Sequence, residues 1–228
     1  MLHPSSAHSG PAQRMEPQSM PEVMPLVYVV DDDISVRESL ELLIRSAGWQ
    51  PVLFEAAAAF LTAPPSHAPS CLVLDVNLPD LNGLDLQRSL AGQRPTMPII
   101  FITGYGDVPL TVRAMKAGAV EFLTKPFDSD TLLQAIADAL EHSRATLGQQ
   151  SRLDAVRQAY GLLTSREREV LERVVAGRLN KQVAADLGIS EITVKAHRGR
   201  VMRKMQARTL PDLVHMATLL AITPSETR

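Results

Sequence analysis

From Leu26 onward, short apolar runs rich in β-branched residues alternate with stretches whose apolar positions recur every three or four residues. That alternation predicts strands and helices in turn, and hence an α/β doubly wound parallel sheet. The runs are LVYVV (26–30), PVLFE (51–55), CLVLD (71–75), PIIFIT (98–103) and VEFLT (120–124), so five strands are expected. After the first, Ser35 and Glu38 read as a capping box, Val36, Leu40, Leu43 and Ile44 share one helical face, and Gly48 marks a stop. Later helices are predicted at 56–62, 84–92, 108–117 and 128–142.

Past residue 142 the strand signals cease. A polar stretch containing Gln and Arg predicts a helical linker over 143–159, followed by helices near 164–176, 181–187, 191–205 and 209–221. Thr164 and Glu167 form a capping box, Val170, Leu171 and Val174 share a face, and Gly177 ends the helix. Ala184, Gly188 and Val194 have the offsets of two helices crossing closely around a tight turn, a helix-turn-helix. Ser190 caps the second of these. Its inward stripe is Val194, His197, Val201 and Met205, which leaves Lys195, Arg198, Gly199 and Arg203 toward the outside, and His197 reads as a packed residue. The expected organisation is a tail over 1–24, an α/β domain over 25–142, the linker, and an all-α domain over 160–222.

Composition sharpens this division. A chain of 228 residues with 45% apolar and 21% charged residues can bury two cores, which excludes bulk disorder. The net charge of -2 conceals an asymmetry: residues 1–150 carry 9 Lys and Arg against 17 Asp and Glu, giving -8, and residues 151–228 carry 14 against 8, giving +6. An acidic front handles cations and a basic back meets a polyanion such as nucleic acid. Cys71 is the one cysteine, so an intrachain disulfide is impossible, and its apolar neighbours place it in a core. No apolar run reaches the roughly 18 residues of a membrane span. The first 24 residues, rich in Pro, Ser and Met, lack the apolar segment of a signal peptide; a disordered tail and a cytoplasmic location are expected.

In an open parallel sheet, ligands bind outside the carboxyl ends of the strands. Four of the five runs end in polar residues: Asp31 and Asp32, then Asp75, then Thr103, then Lys125. Three carboxylates brought together repel unless a cation joins them, and Mg2+ suits an all-oxygen site that also takes phosphate. In that setting Asp75 is the nucleophile that forms an acyl phosphate, the Thr103 hydroxyl donates to a phosphoryl oxygen, and Lys125 supplies fixed positive charge. Asp33 is left to cap the first helix.

VYVVDDD, CLVLDVNLPDLNG, FITGYGDV and EFLTKPF resemble the receiver motifs of FixJ-type response regulators over about residues 25–145. The resemblance implies a flavodoxin-like receiver with Asp31 and Asp32 as metal ligands and Asp75 as phosphoacceptor. It further implies the backbone carbonyl of Val76 as another metal ligand, Thr103 as switch hydroxyl, Phe122 as switch aromatic, Lys125 as phosphate-binding lysine, and a cis bond before Pro126. Phe122 departs from the tyrosine often found there, so burial of the ring must carry the signal without a phenol. Asn77 and Tyr105 resemble positions that tune acyl-phosphate lifetime.

Residues 160–222, through TVKAHRGRVMRKM and RTLPDLVHMA, resemble the LuxR-type helix-turn-helix of the NarL group. This implies that Lys181, Thr193, Lys195, Ala196, Arg198, Gly199 and Arg203 face double-stranded DNA. Lys195, Ala196 and Gly199 take base-reading positions, whereas Lys181, Arg198 and Arg203 favour phosphates. Gly199 removes a side chain, which shifts weight from direct readout to DNA shape. Leu213, Val214 and Leu220 belong either to a dimerisation helix or to the domain core. Together the resemblances imply phosphotransfer from a sensor histidine kinase, a homodimer when phosphorylated, recruitment of RNA polymerase, and no enzymatic activity beyond the chain's own Mg-dependent phosphorylation and dephosphorylation. Whether the switch is dimerisation or unmasking of the DNA-binding face stays open. Two other readings compete. One is a phosphatase of the haloacid dehalogenase type, with Asp31 as nucleophile and Asp33 as acid; the other is a regulator that keeps the receiver only to dimerise.

Overall fold

The computed structural model of the chain describes residues 23–94, 96–104, 106 and 108–222. The expected disordered tail lies outside them except for its last two residues, and Tyr105 lies outside them as well. Strands β1 (Leu26–Val30), β2 (Gln50–Phe54), β3 (Ser70–Asp75), β4 (Ile99–Thr103) and β5 (Glu121–Thr124) form one parallel sheet in the order β2-β1-β3-β4-β5. All five apolar runs are therefore strands, with β2 stopping one residue short of Glu55.

Both faces of the sheet are covered, so alternate side chains enter opposite cores and the strands read as continuous apolar runs. Tyr28, Val30, Leu72, Leu74, Ile99 and Phe101 meet Phe60 of α2 (Ala57–Thr62), Leu86 and Leu90 of α3 (Gly83–Gln93) and Ala114 of α4 (Val108–Lys116). Val27, Val29, Cys71, Val73, Ile100 and Ile102 meet Leu40 and Ile44 of α1 (Ile34–Ser46) and Leu132 and Ile136 of α5 (Ser129–Gly161). Cys71 is fully buried, and burial holds its thiol well above the usual range. It is a core residue, as its neighbours indicated.

The start of α1 has the cap expected of Asp33 and corrects the box expected of Ser35 and Glu38. Asp33, not Ser35, is the N-cap: its carboxylate accepts the N–H groups of Ser35 and Val36 at 2.8 and 3.4 Å. The helix begins at Ile34, so Ser35 is already helical and the Ser35–Glu38 box does not form. Gly48, at φ +82°, provides the left-handed stop. Helix α2 is capped from a distance. Ala56 has no side-chain acceptor, and Asp80, in the loop between β3 and α3, accepts Ala58 N–H at 2.9 Å and Ala57 N–H at 3.3 Å. Those bonds, Ala58 first, hold the Asp80 carboxyl below its ordinary range.

Helix α5 runs unbroken for 33 residues, about 50 Å at 1.5 Å per residue. Its first turns pack on the sheet, and Val156 near its end joins a third core. There it meets Val170, Leu171 and Val174 of α6 (Ser165–Val175), Val183 and Ala184 of α7 (Asn180–Leu187), Val194 and Val201 of α8 (Glu191–Lys204), and Leu213 of α9 (Leu210–Leu219). Gly188 adopts φ +64° between α7 and α8, and the Ile189 N–H closes back on the Ala184 carbonyl at 3.1 Å. In α9, Leu213 is fully buried and Leu220 packs on the same core, while Val214 is exposed. Among the described residues no helix is long and apolar enough to cross a membrane.

Candidate functional site

The strand order reverses its direction of growth at β1 and β3, and the crevice at their carboxyl ends gathers the polar residues that end the runs. Lys125, just after β5, donates from Nζ to Asp31 Oδ2 and to Asp75 Oδ2, each at 2.7 Å. Asp31 is fully buried and Asp75 nearly so. Four interactions fix Asp31: its N–H donates to the Phe54 carbonyl, its carbonyl accepts from Arg37, Oδ1 accepts Asp33 N–H at 2.9 Å, and Oδ2 accepts from Lys125. The other oxygen of Asp75 accepts Asn77 N–H at 2.9 Å, and Asn77 itself is exposed at the rim. Asp32 is exposed beside them, and one carboxylate oxygen from each of Asp31, Asp32 and Asp75 lies within 4.8 Å of the other two.

Burial raises the pKa of Asp31, and the nearby Asp75 charge adds to it, although the Lys125 hydrogen bond and Asp33 N–H pull the other way. For Lys125, burial disfavours the ammonium, but bonds to Asp31 and Asp75 more than offset this and its pKa is raised. One ammonium thus faces three clustered carboxylates of all-oxygen character. The donor set fits a hard divalent cation, and the excess negative charge gives a reason to bind one.

Thr103 is fully buried at the end of β4, and its carbonyl accepts Lys125 N–H at 2.7 Å. The Lys125–Pro126 peptide is cis, as the resemblance implied. Phe122 lies opposite Phe101 in the β4–β5 register, half-buried, with ring centroids 6.2 Å apart. The Val76 carbonyl accepts Gly83 N–H at 2.9 Å, which engages one of its two lone pairs, and the residue is buried. Asp33 is committed to capping α1, which removes the acid that a haloacid dehalogenase-type phosphatase needs.

On the second domain, Lys181, Lys195, Ala196, Gly199 and Arg203 are exposed. Thr193 is drawn into the cap of α8, its N–H donating to Ser190 Oγ at 3.2 Å and its hydroxyl 2.9 Å from that of Ser190. Arg198 is half-buried and donates to Asn180 Oδ1 at 3.2 Å, which ties α8 to α7. His197 is half-buried, and its Nδ1 is buried without a hydrogen-bond partner among the described residues. A Cβ added at Gly199 meets nothing within 4 Å. Glycine inside a helix costs about 0.5–1 kcal/mol relative to alanine. Gly199→Ala is therefore expected to stabilise the helical domain by about that amount in urea denaturation; a loss of stability would overturn the expectation.

The predicted Thr164–Glu167 capping box is present, but Glu167 also has a partner that sequence reasoning missed. Lys204, at the end of α8, donates to Glu167 Oε2 at 2.6 Å and to the Leu162 carbonyl at 3.0 Å. This joins the last turn of the candidate recognition helix to the first turn of α6. The Lys204 bond, then Thr164 N–H, lowers the Glu167 pKa from an ordinary 4.5 to about 2. A folded value below the unfolded one means the stabilisation is complete above pH 4.5 and is lost as pH falls toward 2. Lys204 is about one-third exposed, so solvent screening reduces the effect. Glu167→Gln is expected to cost about 2 kcal/mol at pH 7 and to flatten the pH dependence of stability in that window, measured by denaturation from pH 2 to 7.

The response regulator receiver domain family matches residues 27–137, and the luxR family of bacterial regulatory proteins matches residues 161–217. Nodulation protein W of Bradyrhizobium diazoefficiens is 49% identical over 202 residues, 89% of this chain and 89% of that protein. Transcriptional regulatory protein FixJ of Rhizobium meliloti is 43% identical over 199 residues, 87% of this chain and 98% of its relative. Among solved structures, the response regulator StyR superposes with a TM-score of 0.79 at 45% identity, covering 86% of this chain and 99% of that one. The chain belongs to the response regulators that join a receiver domain to a LuxR-type DNA-binding domain. It is a transcriptional regulator of the two-component type and not an enzyme in the ordinary sense.

Proposed function

We propose that Asp75 accepts a phosphoryl group from a phosphohistidine of a sensor kinase, and that the resulting acyl phosphate controls DNA binding by residues 160–222. The observation that carries this reading is the convergence of Asp31 and Asp75 on one lysine, at 2.7 Å each, with Asp32 in the same cluster. An oxygen of Asp75 attacks phosphorus as the imidazole N–P bond breaks, and the departing ring keeps the electron pair. Asp31, Asp32 and Asp75 hold Mg2+, which when bound offsets negative charge on the phosphoryl oxygens. Lys125 moves from Asp75 toward the new phosphoryl oxygens, the Thr103 hydroxyl donates to one of them, and Phe122 fills the space this leaves.

The signal leaves through α4 and β5, where Val108, Val112 and Met115 expose apolar side chains. Pairing of two copies across this surface sets two helix-turn-helix domains on half-sites about one helical turn apart and raises affinity through effective concentration. Bound regulator recruits RNA polymerase in the cytoplasm. The receiver comprises residues 25–142, with the 143–159 part of α5 as a helical linker.

The test is incubation of the full chain with acetyl phosphate and Mg2+, followed by peptide mapping. One label is expected, on Asp75, absent when EDTA replaces Mg2+. A label on Asp31 would overturn the assignment.

A further inference from the structure

Ile192 is the most exposed large apolar side chain among the described residues, at 83%. A lone exposed isoleucine on a protein surface needs no special account. Its place makes this one different. It lies in the first turn of α8, and residues 192, 195, 196 and 199 are spaced i, i+3, i+4 and i+7, so Ile192 heads the same helical stripe as Lys195, Ala196 and Gly199. All four are exposed, while Val194 and Val201 point into the domain core. Of the four, Lys195 carries a charge, Ala196 a single methyl and Gly199 no side chain, which leaves Ile192 as the one bulky apolar group on the face.

A helix in the major groove presents its N-terminal residues to base edges. Isoleucine can neither donate nor accept a hydrogen bond, so it gains nothing from a phosphate or from the polar edges of G, C or A. The C5-methyl of thymine is the apolar feature of the major-groove edge. The turn is also held in place: Ser190 accepts Thr193 N–H at 3.2 Å and pairs with its hydroxyl, and a β-branched side chain in a helix has one dominant rotamer. Little ordering remains to be done on contact.

We infer that Ile192 is a specificity-determining residue that packs on a thymine methyl in the major groove, on the same stripe as Lys195. This rests on the DNA-facing role of α8 given above. Because the Ile192 side chain touches little of its own domain, Ile192→Ala leaves the fold intact, which circular dichroism and denaturation check.

The experiment selects duplexes from a random pool with the full-length wild-type chain in the presence of acetyl phosphate and Mg2+, then replaces each thymine of the enriched sequence singly with deoxyuridine, which removes only the methyl. Loss of one buried methyl contact corresponds to about three- to fivefold in affinity. One position is expected at which deoxyuridine weakens the wild type by that factor and leaves Ile192→Ala unaffected, since the variant has already lost the contact. Equal sensitivity of both proteins at every thymine overturns the contact while sparing the DNA-binding reading. Failure to enrich any sequence overturns that reading and this inference together.

Discussion

Asp75→Asn is expected to abolish labelling by acetyl phosphate and to hold DNA affinity at the unphosphorylated level whatever phosphodonor is present. The amide is nearly isosteric with the carboxylate but offers no oxygen nucleophile, so no acyl phosphate forms. The fold should survive. Asn can still accept Asn77 N–H, and Lys125 keeps its 2.7 Å bond to Asp31, so the loss is one charge-assisted hydrogen bond, about 1.5–3 kcal/mol at most. In the wild type, pairing two DNA-binding domains on adjacent half-sites raises apparent affinity by about 100-fold or more, and the variant should forfeit the whole of that gain. Fluorescence anisotropy on an enriched duplex, with and without acetyl phosphate, reads the difference directly. A response of Asp75→Asn equal to that of wild type would favour a receiver kept only for dimerisation and sink the phosphoacceptor reading.

The legible parts of this molecule share a physical basis. Both sheet faces are buried, so each strand announces itself as an unbroken apolar run, and the parallel topology places every polar run-ending residue at one edge. Asp31, Asp32, Asp75, Thr103 and Lys125 could be found that way because position in the chain alone brings them to the crevice. Groups whose partners lie far off in sequence could not. Asp80 caps α2 across 22 residues, and Lys204 reaches Glu167 across 37. Ala56 at an N-cap position was the available clue for Asp80, since a helix start with no acceptor of its own must borrow one. The Ser35–Glu38 box misled because its spacing is correct while the helix starts earlier, on the better acceptor Asp33. The Gly83 N–H bond to the Val76 carbonyl belongs to the Asn77–Asn82 bridge, which no residue type declares in advance. The exposure of Ile192 is likewise a property of the folded domain, because in the sequence it reads as one more apolar residue of a helix.

Lys125→Met carries the second large expected effect, and it separates the structural work of the lysine from its chemical work. The substitution keeps a long side chain and removes the single ammonium that bridges Asp31 and Asp75. Two carboxylates, one fully buried and one nearly so, are then left facing each other. Breaking a buried ion pair by deleting one partner costs about 3–5 kcal/mol, and the partial exposure of Lys125 reduces this to about 2–3 kcal/mol in metal-free buffer. Mg2+ should reverse most of that loss. Lysine and a divalent cation compete for the same carboxylate oxygens, so removing the lysine strengthens metal binding, and binding to the folded state alone raises stability as RT ln(1 + [L]/Kd). Urea denaturation in EDTA and in millimolar Mg2+ is therefore expected to show a larger Mg2+ stabilisation for Lys125→Met than for wild type. Phosphodonor-dependent DNA binding should stay impaired in the variant even when its stability is restored, because no ammonium remains to pair with the phosphoryl oxygens. An equal loss of stability with and without Mg2+ would mean that the three carboxylates are not the metal site, and the role of Asp31 and Asp32 would have to be withdrawn.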